Sequence, residues 1–546
     1  MKMKFIRPSP SWWVGLVFLP YALSLVWPRS YGPSLMISPF LMGLAAVAVA
    51  GLAIRPYGNL RLAAWLLLVL GLITLGPWTQ SLMMWSVVGA ALASWVAMAL
   101  GQACAAKDGL MRAFVFVLVV SMVVNVLVAW LQFFDQELLL YPFVSMHDGA
   151  RPYGNLRQAN HLATLCVMGL ASAWWAGQSG YWRSGVVGAV SLVAMSGLAL
   201  SVSRIGWVEM IALAVFVTCW TDGKTKFNRI LFGLAPLWVF TWSLALQFFS
   251  VWFSTTALAI SDRGTESLST RWVFWQAAWN LAIKHPTQGV GWEEFRYAQF
   301  MEEPIVAGSE ITDNAHNLVL HLLANVGFAS TFLILAPVVW LLFSRKPWRS
   351  TSLSVRWAWL VILTIGLHSM VEYPLWYMNF IIPMALAFGI VVSHKEAQLV
   401  DIKVRKNRPF VVFGAALVLL VGTVVASYDY VRILPAFSGD GRAAADPEAY
   451  VGAKKTWIFG VYADRVLAEH ARVTPGNAQA MWQLSEHLMH AGPAPLNLWP
   501  GLAARCQLGG GVQARELARR FENMFPVAYL EFTQLTPAAA LAKCIS

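Results

Sequence analysis

Charge is what this chain has least of. Only 12% of its 546 residues are Asp, Glu, Lys or Arg, about half the share usual in a soluble protein. Hydrophobic residues make up 58%, Trp alone occurs 28 times, and the mean hydropathy is +0.59. Length by itself would suggest several soluble domains, but so much apolar side chain cannot be buried in water-soluble cores. Cysteine is also scarce. Five residues exclude a disulfide scaffold, and no CxxC or Cys/His cluster has zinc spacing. There is no Asp-x-Asp. Lys2, Lys4 and Arg7 precede an apolar run, but no small-residue cleavage site follows, so a retained helix is expected there rather than a signal peptide. The composition is that of an all-α polytopic integral membrane protein.

A spanning helix needs about 20 mostly apolar residues. Such windows occur near 11–28, 33–54, 62–79, 81–106, 113–134, 161–178, 184–203, 205–221, 230–253, 317–343, 357–371, 379–394 and 409–427, which predicts about thirteen crossings. The net charge of +12 invites a nucleic-acid reading, but the cations sit in short loops. They are Lys2, Lys4 and Arg7; Arg55 and Arg61; Lys107 and Arg112; Arg183; Lys224, Lys226 and Arg229; Arg345, Lys346, Arg349 and Arg356; and Lys395, Lys403, Arg405, Lys406 and Arg408. Placing these in the cytoplasm makes every second loop basic. The excess of cations is therefore topological, and no nucleic-acid partner is expected.

The opposite loops then face outward, which in a bacterial cell is the periplasm. They are 135–160, the turn 201–206, the long segment 254–316, the break 372–378 and everything after 428. Residues 1–427 read as the transmembrane part and 428–546 as a small soluble helical domain, with helices at 462–472 and 478–490 split by Pro475-Gly476. Cys506 and Cys544 lie in this outward part, where a disulfide is permitted; Cys104, Cys166 and Cys219 fall in spans and read as buried packing thiols.

Polar groups near membrane depth are costly, so each needs an account. Asn155, Arg157, Gln158, Asn160 and His161 form a dense donor set at the start of a helix, where the helix dipole attracts anions; an ordinary loop and cap is the alternative. Ser203-Arg204-Ile205-Gly206 is a turn whose Arg204 grips phosphate, snorkels, or pairs with Glu209 slightly deeper in the next helix. Arg271 shares a helix face with Trp275 and Trp279, and Trp272 adjoins it, as on an interfacial amphipathic helix; His285-Pro286 and Gly289-Val-Gly291 follow. His316-Asn317 opens a long apolar helix. An imidazole can act as a base at neutral pH, although a single His is more often structural. His368 precedes Glu372-Tyr373-Pro374, a helix break tolerated only where it lines a cavity.

These residues resemble the O-antigen ligase and polymerase superfamily, and more closely its protein O-oligosaccharyltransferase (PglL-type) branch. The Ser203–Gly206 turn looks like the superfamily's arginine motif. Arg271 with Pro286 and Gly289–Gly291 looks like its large periplasmic loop, and His316-Asn317 with Leu320, Leu323 and Gly327 like its histidine motif. The stretches Tyr153–His161 and Glu372–Trp376 are similar to the protein-glycosylating branch in particular. The resemblance implies an enzyme of the bacterial inner membrane, its site facing the periplasm. It would transfer an oligosaccharide en bloc from undecaprenyl-pyrophosphate to a Ser or Thr hydroxyl of a protein such as type IV pilin. His316 would activate or orient the acceptor, and Arg204 and Arg271 would stabilise the departing pyrophosphate. Gln158, Asn160 and His161 would help hold donor or acceptor, and Glu372 and Tyr373 would line the same cavity. No cofactor or metal is implied; Asp135-Gln-Glu137 reads as a loop feature.

Two readings compete with this. An O-antigen ligase or polymerase would use the same Arg and His chemistry on a sugar acceptor; the soluble tail and the Gln158 and Tyr373 elements weigh toward a protein. A transporter or flippase would show internal repeats and polar groups at mid-bilayer, whereas these groups cluster at one surface. A membrane scaffold without chemistry is the remaining alternative.

Overall fold

The computed structural model describes residues 16–28, 32–34, 36–74, 81–146, 151–220, 226–252, 266–302, 311–396, 408–437, 447–535 and 544. Lys2, Lys4, Arg7, Lys224, Lys403, Arg405 and Lys406, which entered the orientation argument, lie outside the described residues.

Every one of the apolar windows carries helix, and no strand occurs among the described residues. Among the described residues, five helices are long and apolar enough to cross a membrane alone: Ile37–Ile54, Met84–Ala106, Asp108–Phe133, Leu318–Arg349 and Phe410–Ala436. The pair Lys226–Gly233 and Ala235–Ser250, bent by 49°, makes a sixth when counted as one span. Arg61–Ile73, Ser184–Leu200, Leu353–His368 and Met378–Ser393 are apolar but shorter. The fold is all-helical and polytopic, with at least five spans; length and composition do not by themselves reach thirteen.

Lipid gives no hydrophobic drive between helices, so close backbone approach takes its place. Helices Ser81–Ala106 and Met378–Glu396 show this directly. A Cβ on Gly101 would lie 2.0 Å from the Leu386 carbonyl oxygen, and one on Gly389 would lie 2.0 Å from that of Met98. Phe114, fully buried, stacks on Tyr21 and meets Trp357 edge-on, joining three helices far apart in sequence. Cys104 and Cys166 are buried thiols as expected, but Cys219 is exposed: it sits at the last turn of helix Arg204–Cys219, on the side away from the packed core.

Among the described residues beyond 446 there are six helices, Pro447–Ala453, Gly460–His470, Ala478–Ala491, Pro495–Gln507, Val512–Met524 and Pro526–Leu535, where two were expected. Ala478–Ala491 and Pro495–Gln507 form a hairpin so close that a Cβ on Gly501 would meet the Ser485 hydroxyl. Cys506 and Cys544 are disulfide-bonded, with Cα atoms 4.8 Å apart. The apolar core of these helices includes Phe300 of the large loop together with Leu498, Leu502, Phe521 and Phe532.

Candidate functional site

Helix Leu353–His368 stops, and the next begins at Met378. Pro374 lacks the N–H needed to continue the ladder, and a short 3₁₀ turn, Pro374–Trp376, fills the gap. Glu372 sits in this break, 5% exposed, and gathers four side chains from three other segments. Its Oε1 accepts from Arg271 Nη2 at 2.5 Å and from Asn160 Nδ2 at 3.1 Å. Its Oε2 accepts from Gln158 Nε2 at 3.5 Å, the outer limit of a hydrogen bond. His316 Nδ1 lies 2.9 Å from the same oxygen. Burial pushes the Glu372 carboxyl up, but the His316 contact and the Arg271 guanidinium outweigh it and hold the group down at about 2. The Tyr373 ring meets the His316 ring edge-on, centroids 5.0 Å apart, and burial, with the nearby Asp313 and Glu372 charges, pushes its phenol up to about 12.

Asn160 lies in the first turn of helix Ala159–Gln178 and also accepts from Ser203 Oγ at 2.8 Å. Ser203 in turn caps helix Arg204–Cys219 by accepting from the Gly206 N–H. Arg204, the first residue of that helix, is thereby fixed one residue from the Glu372 network. The turn is strained: Val202, a β-branched residue, has φ +47. His316 is strained in the same sense, at φ +51. Such conformations cost about 1–3 kcal/mol each and persist only where the surroundings enforce them. Here Asn314 Oδ1 accepts from the His316 N–H, Asn317 caps the following helix, and Leu318 N–H and Asn317 Nδ2 donate to the carbonyls of Ser369 and Met370 in the break.

Arg271 lies on helix Glu266–Lys284, which buries Phe274, Ala278 and Leu281 and leaves Trp272 and Trp279 exposed. Pairing with Glu372 gives Arg271 the account that interfacial anchoring did not. The glycines after it are structural. Helix Leu318–Arg345 kinks at Gly327, φ 77 and ψ 176, and residues 286–291 dock on the break. Phe328 N–H donates to the Pro286 carbonyl, and Val290 and Gly291 N–H donate to those of Ala324 and Asn325. A Cβ on Gly289 would lie 2.2 Å from the Asn325 carbonyl carbon, and one on Gly327 2.6 Å from that of Thr287.

The dense donor set of 155–161 divides. Only Gln158 and Asn160 reach Glu372. Asn155 is occupied by Val26, Phe143 and Ser145, and Arg157 donates to the Pro28 carbonyl, so these two hold the loop together. His161 is 2% exposed and packed among Tyr377, Phe380 and His368, one layer beneath the site. Of that layer, Thr164 was missed in the sequence, and Glu209 and His368 were noted there without their contacts to it. Thr164 donates to Glu209 at 2.8 Å and contacts His368 Nδ1 at 2.8 Å, so its hydroxyl bridges Glu209 and His368, which lie 3.9 Å apart, and no ion pair joins Glu209 to Arg204 among the described residues. Asn125 and Gln132, which bind the 145–155 loop backbone, were missed too. The available signal was an amide or carboxyl inside an otherwise apolar window. Among the described residues, no group of three or more His, Cys, Asp or Glu is arranged to hold a metal ion.

The fold and site define a polytopic helical membrane protein with a polar, cation-bearing centre built where several helices begin or break. Three family models match successive parts of the chain. They are described as a protein glycosylation ligase (residues 152–175), an O-antigen ligase (189–335) and the C-terminal part of a virulence factor membrane-bound polymerase (356–540). The first covers Gln158 and Asn160, the second Arg204, Arg271 and His316, and the third Glu372 and Tyr373. The chain is 22% identical over 355 residues to a general O-oligosaccharyltransferase of Acinetobacter baylyi, covering 60% of each chain. It is 24% identical over 285 residues to a ComP-specific O-oligosaccharyltransferase of the same organism, covering 51% of this chain and 50% of that one. The chain thus matches between half and 60% of the length of these relatives. These matches bear out the resemblance to the O-antigen ligase superfamily and to its protein-glycosylating, PglL-type branch.

Proposed function

We propose that the protein is a membrane glycosyltransferase that moves an oligosaccharide from undecaprenyl-pyrophosphate to a Ser or Thr hydroxyl of a periplasmic or pilin-like protein. The observation that carries this is the convergence of His316 and Arg271 on the two oxygens of Glu372. Glu372 Oε2 lies 2.9 Å from His316 Nδ1, a contact of charge and proximity without hydrogen-bond alignment, and its charge favours the tautomer protonated there, which leaves the Nε2 lone pair for chemistry. His316 Nε2 takes the proton of the acceptor hydroxyl as its oxygen bonds to the anomeric carbon. The bond from that carbon to the phosphate oxygen breaks on the opposite face, inverting the centre. Arg204 and Arg271 stabilise the charge that grows on the pyrophosphate. Two cations and an already good leaving group make a metal unnecessary. Glu372, with both oxygens occupied by protein groups, positions His316 and Arg271 rather than binding substrate. Gln158 Oε1 and Asn314 Nδ2 are buried beside this centre without a hydrogen-bond partner among the described residues, and a polar ligand would satisfy them.

A periplasmic, inner-membrane setting is supported by the Cys506–Cys544 bond, which belongs to an oxidising compartment, and by the tail's packing on the loop that leads to His316. The O-antigen ligase match over 189–335 keeps transfer to a sugar acceptor as the second reading. Deleting the gene and measuring intact masses of pilin and other periplasmic proteins, with lipopolysaccharide run from the same cells, separates the two. Loss of a glycan-sized mass from protein with unchanged lipopolysaccharide is expected. Unchanged protein masses with lost or shortened O-antigen would move the assignment to a ligase or polymerase.

A further inference from the structure

Helix Phe295–Glu302 is buried on two sides that belong to different cores. Phe295 and Ala298 pack with Leu281, Ala315 and Ala324 on the membrane side. Tyr297 and Phe300 pack into the tail, with Phe300 fully buried among its core residues. Polar contacts secure both ends. Glu294, 4% exposed, places Oε2 2.7 Å from His490 Nδ1, and the Tyr297 ring lies over that imidazole at 3.9 Å. At the far end Arg520 donates to the Phe300 carbonyl. The next residue toward the site, Glu293, accepts from the Trp376 indole at 3.3 Å, while Trp292 stacks on Trp376 at 5.9 Å. Trp376 belongs to the break that carries Glu372, and Ala315 directly precedes His316.

We propose that the C-terminal segment is a clamp on the catalytic loop, and that His490 is a positioning residue: its pairing with Glu294 fixes helix Phe295–Glu302 and, through Trp376 and Ala315, the register of His316 against Glu372. The proposal rests on the reading of His316 as the base. The membrane helices hold the loop through residues 286–291 and one face of helix Phe295–Glu302; the tail supplies a second core on the other face. His490 is sensitive to pH in a direction the surroundings define. The hydrogen bond to Glu294 holds its imidazole above the ordinary value, burial opposes this, and the Glu294 and Glu486 charges add to the rise. Arg296, packed against Gly492, is the cation nearby, and Tyr297 covers the ring. A group whose folded value is raised contributes below its ordinary value and loses that contribution as pH rises through the raised one. The clamp therefore loosens on the alkaline side.

The test uses the full-length protein in lipid nanodiscs, comparing wild type with His490→Ala and His490→Gln between about pH 6 and 8.5. Amide hydrogen exchange is followed in 293–302 and 312–318, corrected for the intrinsic pH dependence, beside the transfer rate. In His490→Ala, exchange of both segments is expected to rise about tenfold while that of helix Asp108–Phe133 stays unchanged. The alkaline fall in rate should disappear in His490→Gln, which keeps a donor but does not titrate. Exchange in 312–318 identical to wild type in both variants would overturn the clamp. Exchange is read without turnover, so this failure is distinct from that of the catalytic reading, which falls if His316→Ala remains active.

Discussion

Glu372 Oε2 lies 2.9 Å from His316 Nδ1 while its other oxygen binds Arg271 at 2.5 Å, so one buried carboxylate sets the position of both a candidate base and a candidate anion-binding group. Held at about 2, it stays ionised through the physiological range and loses this role only under strongly acidic conditions. His316→Ala should abolish transfer with expression and insertion unchanged, and near-full activity would remove His316 from the mechanism. Glu372→Gln should lower the rate by about 10–100-fold, as loss of a group that orients a functional imidazole does. Combining the two substitutions should cost little more than His316→Ala alone. A multiplicative loss in the double variant would mean that Glu372 acts through Arg271 and not through His316.

Arg204 and Arg271 differ from lysine in presenting a planar fork to phosphate. Arg204→Lys and Arg271→Lys are each expected to lose at least about tenfold in rate, since a point charge does not replace bidentate recognition. Steady-state transfer from a lipid-linked donor reads this, and wild-type rates for Arg204→Lys would favour a snorkelling role.

Gly327 and Gly289 interlock the loop with the kinked helix. Gly327→Ala places a Cβ against the Thr287 carbonyl at a positive φ and should destabilise by about 1–3 kcal/mol. Thermal unfolding in detergent measures it. Gly366→Ala, where an added Cβ meets nothing, is the control and should unfold with wild type.

The Cys506–Cys544 bond closes a 38-residue separation. Cys506→Ser should cost the tail about 2–5 kcal/mol. In the native protein both thiols should resist alkylation until reduced; ready labelling without reductant in the mature protein would contradict an oxidising compartment.

Chelator treatment should leave transfer unchanged. Strong inhibition that added divalent cation reverses would call for metal ligands, with Asp135 and Glu137 the first to substitute.

Much of the site was legible because membrane burial makes polar residues conspicuous: Arg271, His316 and Glu372 stand out against apolar neighbours and share one face of the topology. Their partners were less visible. Gln158 and Asn160 could not be told from Asn155 and Arg157 by type or spacing, and the structure separates them by which partner each meets, Glu372 or the loop backbone. Thr164 and Glu209 sit within apolar windows, where helical periodicity gives no partner.

The amino-acid sequence by itself determined an all-helical membrane protein, because a lipid solvent leaves few other ways to satisfy the backbone. It also determined the helix break at Pro374, because a missing N–H acts locally. Only the tertiary structure decided that Glu372 joins segments more than two hundred residues apart, that Cys506 meets Cys544, and that Phe300 completes the core of the tail. Those outcomes depend on packing between distant segments, and no local pattern encodes which carboxylate a given donor will find.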